Sequence, residues 1–248
     1  MAVCSKGGYV VYYPGGAIHG MFRSLLDLVF PPRCRLCRKP STEVVCTECF
    51  ESFPKISGTI CRRCGKPCQR TVDECRDCTG KILHFSLARS GGSYAGSLKE
   101  AIHHLKYKNG KKIALYLARF IADCSSELMD NVGAIAFVPL TRYKEAKRGY
   151  NQSKLIAQEL SLLFNKPLYR DLVKIRDIPE QNKLGLADRS SNVKGVFVAK
   201  AQVSGRMLLV DDVYTTGSTV NECAIALRKA GASEVLVVTV ARTPLEGR

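Results

Sequence analysis

Two groups of residues in this chain have the types and spacing to do chemistry. The first is eight cysteines in four C-x-x-C pairs: Cys34/Cys37, Cys46/Cys49, Cys61/Cys64 and Cys75/Cys78. One such turn offers two thiolates to a metal ion, and two turns complete the sulfur tetrahedron that zinc favours. Eight cysteines therefore make two closed structural sites. In a chain that shows no export signal this spacing reads as zinc, not disulfide. Joining neighbouring pairs satisfies it, and so does a crossed pairing. Cys4, Cys68, Cys124 and Cys223 fall outside the pattern.

The second group lies in residues 207–220, "MLLVDDVYTTGSTV". An apolar run ends in Asp211 and Asp212, and Thr215, Thr216, Gly217, Ser218 and Thr219 follow. A helix N-terminus with free backbone N–H groups and small hydroxyl side chains binds phosphate. Gly217 lets the backbone close on the anion. Carboxylates repel phosphate, so the acid pair must hold something attached to it, either sugar hydroxyls or magnesium. A ribose 5-phosphate carrying pyrophosphate supplies all of these. The plainer alternative is a strand end followed by a helix cap.

These groups need elements to hold them. Residues 85–94 read as a strand, and Leu98, Ile102 and Leu105 recur at helical spacing, as do Leu117, Phe120, Ile121 and Cys124. Residues 134–138 form a short apolar strand before Pro139, and Leu155, Ile156, Leu160 and Leu163 mark a helix face. Residues 207–210 read as a strand that places both aspartates at its carboxyl end. A helix over 218–230 stops at Gly231, and 234–240 is a last strand. Short apolar strands alternating with amphipathic helices predict an α/β fold with a parallel sheet, whose ligands sit beyond the carboxyl ends of the strands. The expected division is a disordered lead over 1–20, a cysteine module over 21–80, a sheet domain over 85–242 and a tail over 243–248. Met21 would serve as an alternative start. Zinc is expected to supply most of the module's folding energy, and the sheet to stand on its own core.

"LLVDDVYTTGSTV" resembles the phosphoribosyl-pyrophosphate (PRPP) motif of type I phosphoribosyltransferases. The chain from about residue 21 to 242 resembles the ComF family, in which a double zinc ribbon precedes a phosphoribosyltransferase-like domain. "FPPRCRLC", "LKYKNGKK" (105–112), "VPLTRYKEAKRGYNQS" (138–153) and "QNKLGLADRSSNVKGVF" (181–197) carry the same resemblance. It implies that Asp211 and Asp212 bind the ribose hydroxyls and that residues 215–219 cradle the 5-phosphate. Pro139, Leu140, Thr141 and Arg142 would meet pyrophosphate. Residues 176–194 would form a flap, with Lys183 and Arg189 covering the anion. Arg148, Gly149, Asn151 and Gln152 belong to the family signature without a derived role. Implied cofactors are two structural zinc ions, and magnesium with PRPP.

The resemblance implies a phosphoribosyl transfer to an unnamed nitrogenous acceptor, linked to DNA uptake or nucleotide metabolism. The alternative is a non-catalytic factor that handles single-stranded DNA, with proteins of the DNA-uptake machinery as partners. Charge suits either: 38 Lys and Arg against 22 Asp and Glu give +16, which favours polyanions. The absence of Trp and the 8% aromatic content give little for a broad stacking platform. No stretch approaches the roughly 18 apolar residues of a membrane span, so the expected place is the cytoplasm, without membrane insertion. Lys106, Lys108, Lys111 and Lys112 form either a phosphate patch or a solvated face. His103 and His104 diverge by about 100° on a helix and read as surface residues. Tyr150 reads as a packing residue.

Overall fold

A computed structural model describes residues 31–176 and 195–244. Four strands form a parallel sheet: β1 (Leu87–Ser93), β2 (Val132–Phe137), β5 (Arg206–Tyr214) and β6 (Glu234–Arg242), in the order β1-β6-β5-β2. The short strands β3 (Leu172–Lys174) and β4 (Phe197–Ala199) make a separate antiparallel ribbon. The helices are α1 (Thr47–Glu51), α2 (Gly96–Tyr107), α3 (Ile113–Ser125), α4 (Arg142–Arg148), α5 (Gln152–Leu163) and α6 (Ser218–Lys229).

Both central strands are continuous apolar runs because both faces of the sheet are covered. Alternate residues face opposite sides. Leu208, Val210, Leu236 and Val238 join the apolar sides of α2, α3 and α5 in one core. Met207, Leu209, Val235 and Val237 join α6 and residues from the β3–β4 ribbon in the other. The parallel sheet with its flanking helices is the fold read from the sequence. Strand boundaries shift by a few residues, and one shift bears on the site. β5 does not end before the aspartates but runs on to Tyr214, because β6 continues to pair with it as far as Arg242. The acid pair therefore stands on rigid strand.

The cysteine module lies against this sheet. β1 is an edge strand, and an uncovered edge would leave backbone groups unpaired. Residues of the module cover it: the Ile56 N–H donates to the Gly91 carbonyl at 3.0 Å, Ser93 to Pro54 at 2.8 Å, and Ala88 to Arg63 at 2.8 Å. The first half of the module sends Val45 and Phe53 into the core of α2 and α3, where Phe53 meets Phe120 edge to face at 5.2 Å. The second half places Cys61, Cys64, Cys75 and Cys78 in the core of α6. Among the described residues, module and sheet thus contribute to both cores.

Candidate functional site

The eight cysteines form two clusters, Cys34/Cys37/Cys46/Cys49 and Cys61/Cys64/Cys75/Cys78, so neighbouring pairs join and the crossed arrangement is excluded. Zn–S bonds of about 2.3 Å give a tetrahedron with S···S edges of about 3.8 Å. Cys37 and Cys46 lie 3.7 Å apart, Cys64 and Cys75 3.7 Å, Cys75 and Cys78 3.8 Å, and Cys61 and Cys78 4.0 Å. The residues fit two structural zinc ions. The two halves repeat one local design: Arg35 N–H donates to Val44 and Arg62 N–H to Val72, both at 2.8 Å. Burial opposes ionisation of Cys34, yet backbone N–H groups, that of Cys46 foremost, outweigh it and bring the thiol down to about 6. Cys61 behaves in the same way and reaches about 7.

Near the carboxyl end of β5 the two aspartates are held by three side chains from two helices. Ser153 donates to Asp211 Oδ1 at 2.9 Å, and Gln152 Nε2 lies 3.4 Å from Asp212 Oδ2. Both belong to the first turn of α5. Asn151 caps that helix by accepting from Lys154 N–H at 3.1 Å, and its Nδ2 donates to the Val138 carbonyl at 3.0 Å. One side chain thereby ties the start of α5 to the end of β2. From α2, Lys106 Nζ reaches Asp212 Oδ2 at 2.6 Å. Burial first, and then the charge of Asp212, push the Asp211 carboxyl up to about 7. Burial works against the charge on Lys106, but Asp212 outweighs it and raises the lysine above its ordinary value.

Beyond Tyr214 the chain turns through residues 215–217 into α6. Gly217 is the N-cap residue, with φ 81°, and no side chain caps the helix. Its left-handed backbone disfavours a side chain, and an added Cβ would also collide with the Tyr214 hydroxyl. Thr216 Oγ1 and Ser218 Oγ lie 3.0 Å apart, and the Ser218 N–H meets Thr216 Oγ1 only at 3.4 Å. These threonines are not the cap of α6. Its first N–H groups and the loop hydroxyls face one end of the helix, where an anion is favoured.

Residues 139–142 follow β2. Thr141 caps α4 by accepting from Lys144 N–H, and Gly149 ends that helix at φ 82°. Residues 139–142 line a cleft of about 580 Å³ whose other wall is Arg170 and residues 172–176. Arg148 does not reach the acid pair; its guanidinium lies 5.3 Å from the Tyr107 ring centroid. Lys183 and Arg189, and all of the flap stretch except Arg176, lie outside the described residues, as does the 1–20 lead.

The four lysines of 106–112 do not act as one patch. Lys106 joins the acid pair, Lys108 Nζ meets His104 Nε2 at 3.3 Å, and Lys111 stacks over Tyr150 at 5.2 Å. His104 is buried rather than on the surface, because it shares the inward side of α2 with Ala101 and Leu105. Burial and Lys108 lower its pKa. Tyr150 packs in the core and donates to the Leu105 carbonyl. Sequence reasoning missed the roles of Lys106 and Ser153. The available signals were a lysine directly after the buried Leu105 and a hydroxyl within the first turn after a capping asparagine.

The model described as "Double zinc ribbon domain" matches residues 25–79. The chain is 32% identical over 229 residues to the DNA utilization protein YhgH of Escherichia coli strain K12, covering 87% of this chain and 99% of that protein. It is 33% identical to Competence protein F of Haemophilus influenzae, covering 79% and 88%, and 30% identical to Competence protein ComFC of Bacillus subtilis, covering 92% and 98%. The chain belongs to the ComF family. Set beside the crystal structure of orotate phosphoribosyltransferase from Aeropyrum pernix, this ComF chain gives a TM-score of 0.33 at 20% identity, over 58% of its length and 64% of that chain. So slight a likeness adds nothing to the parallel sheet itself. Among the described residues no helix is long and apolar enough to cross a membrane.

Proposed function

We propose that this ComF protein binds PRPP with magnesium and transfers its phosphoribosyl group to a nitrogenous acceptor, in the service of DNA uptake or nucleic-acid metabolism. The observation that carries this reading is the acid pair on rigid strand, held by Ser153, Gln152 and Lys106, two residues before a loop that opens α6 without a side-chain cap. Asp211 and Asp212 accept hydrogen bonds from the ribose hydroxyls, and residues 215–219 receive the 5-phosphate. Lys106 stands beside the sugar as a cation. Pro139 to Arg142 form the candidate pyrophosphate side, and magnesium would supply charge to the leaving group. In the transfer, a C–N bond forms at the anomeric carbon while the C–O bond to pyrophosphate breaks. Pyrophosphate leaves with the electron pair, and the acceptor's N–H proton passes to water. Positioning and electrostatics supply the catalysis. Lys183 and Arg189 remain candidates for covering the anion. The relatives' names, competence and DNA utilization, support the link to DNA uptake, with its machinery as partners in the cytoplasm. Calorimetry of PRPP with magnesium tests the reading; no heat of binding at millimolar ligand would defeat it.

A second reading, single-stranded DNA handling, is favoured by the cleft beside residues 139–142. Among the described residues Arg142, Lys154, Arg170, Lys174, Arg176 and Lys200 line it against a single acid, Glu145. Tyr143 on its wall is 68% exposed and offers a ring to a base. A steep salt dependence of oligonucleotide binding would carry this reading.

A further inference from the structure

Arg242, the last residue of β6, is only 4% exposed. Among the described residues no carboxylate pairs with it. A buried guanidinium requires a counter-charge, because burial strips its water. Its partners are a backbone and a thiol: Nη1 donates to the Cys64 carbonyl at 2.7 Å, and Nη2 lies 3.5 Å from Cys64 Sγ. Cys64 belongs to the second cluster, whose four cysteines are all buried. Four thiolates around one zinc dication carry a net charge of about −2. That cluster is the negative charge that Arg242 otherwise lacks.

On its other side the guanidinium stacks 4.4 Å from the Tyr214 ring centroid. Tyr214 and Arg242 are register partners on neighbouring strands. The Tyr214 hydroxyl lies against Gly217, so closely that a Cβ there would collide with it. The contacts are continuous from the second cluster through Arg242 and Tyr214 to the turn that opens α6. Among the described residues the first cluster has no such connection. Its half of the module packs through Val45, Phe50 and Phe53 on the opposite face of the sheet.

We propose that the second metal centre holds the anion loop in shape: the charged cluster fixes Arg242, Arg242 fixes the Tyr214 ring, and the ring forms the floor beneath Gly217. Arg242 and Tyr214 are then positioning residues, and the two metal centres are unequal. This rests on reading residues 215–219 as the phosphate loop.

The test uses the full zinc-loaded chain, with zinc content, hydrogen exchange of the 215–219 amides and PRPP–magnesium affinity as readouts. Arg242→Met should keep both zinc ions, while loop exchange rises about tenfold or more and PRPP affinity falls about tenfold. Cys46→Ala, in the first cluster, should lose one zinc and leave loop exchange within about twofold of wild type. Equal loosening of the loop by both substitutions would reduce the effect to general destabilisation and overturn the proposal. Should Arg242→Met not fold, Arg242→Lys serves. It keeps a positive charge beside Cys64 but loses the flat face over Tyr214, so exchange should still rise severalfold with both zinc ions bound; unchanged exchange overturns the proposal. The two readings fail separately. A loop that loosens as expected in a wild type blind to PRPP keeps the wiring and removes the phosphoribosyl reading. PRPP binding that is indifferent to Arg242, with loop exchange unchanged, does the reverse.

Discussion

Lys106 and Asp212 meet at 2.6 Å at the open end of the sheet, their side chains only 19% and 10% exposed. The lysine arrives from α2 and the aspartate from β5, so this contact joins the helix layer to the strand that carries the acid pair. A cation beside two adjacent carboxylates lets them lie together in a dry site. It also occupies one carboxylate that a sugar hydroxyl would claim.

Lys106→Met should leave the acid pair without its countercharge. Removing one partner of a buried ion pair costs about 3 kcal/mol or more, with some relief because Asp211, raised to about 7, is only partly ionised at neutral pH. Urea unfolding should show this loss, and calorimetry a weaker affinity for PRPP. A variant as stable as wild type would mean that the contact carries no energy.

Asp211→Asn and Asp212→Asn preserve shape and remove charge. PRPP affinity should fall by about ten- to a hundredfold in each, since a carboxylate accepts a charge-assisted hydrogen bond that an amide matches poorly. The folded protein should survive both changes. Intact affinity in both variants would return the acid pair to the role of a strand terminus.

The raised pKa of Asp211 has a definite sign in stability. The folded protein holds this proton up to about 7, whereas the unfolded chain releases it near an ordinary aspartate's value of about 3.9. Between these limits the folded state binds more protons, so this group's contribution falls as pH rises from about 4 to about 7 and is level above. Asp211→Asn should remove that slope from a series of denaturation curves. PRPP affinity should rise as pH passes through 7, because the hydroxyl acceptor must be ionised. A flat affinity profile from pH 6 to 8 would contradict the assigned role.

Gly217→Ala should harm the site more than an ordinary surface change. The residue has φ 81° and its Cβ would press on Tyr214. Strain of this kind amounts to about 1–3 kcal/mol, and it falls on the loop. Loss of PRPP affinity should therefore exceed the loss of thermal stability. Wild-type binding would show that the loop tolerates the displacement.

Metal analysis of the reduced protein should find two zinc ions per chain. Chelation should then lower the stability of the whole chain in one transition, because Phe53 packs on Phe120 and Cys61 to Cys78 lie in the core of α6. A calorimetric trace with a separate, unmoved transition for the sheet would restore the independent module expected from the sequence.

What the chain made legible by itself were features written in local spacing. Four C-x-x-C pairs predict two thiolate clusters, because each turn is defined by four consecutive residues. The apolar run, acid pair and threonine-rich turn of 207–220 are likewise contiguous, and so are the strand and helix periods around them. That alternation implies a parallel sheet covered by helices on both faces, while the strand order β1-β6-β5-β2 came only with the structure. What only the tertiary structure decided are the partners brought from far along the chain. Nothing local marks Gln152 and Ser153 as partners of Asp212 and Asp211, sixty and fifty-eight positions away. Nothing local joins Arg242 to Cys64, one hundred and seventy-eight positions distant, or shows that β5 continues to Tyr214. Spacing admitted two cysteine pairings, and the fold chose one. The physical reason is range: hydrophobic period and turn chemistry act over a few residues, whereas a buried charge is satisfied by whatever the packed layers bring within a few ångströms of it.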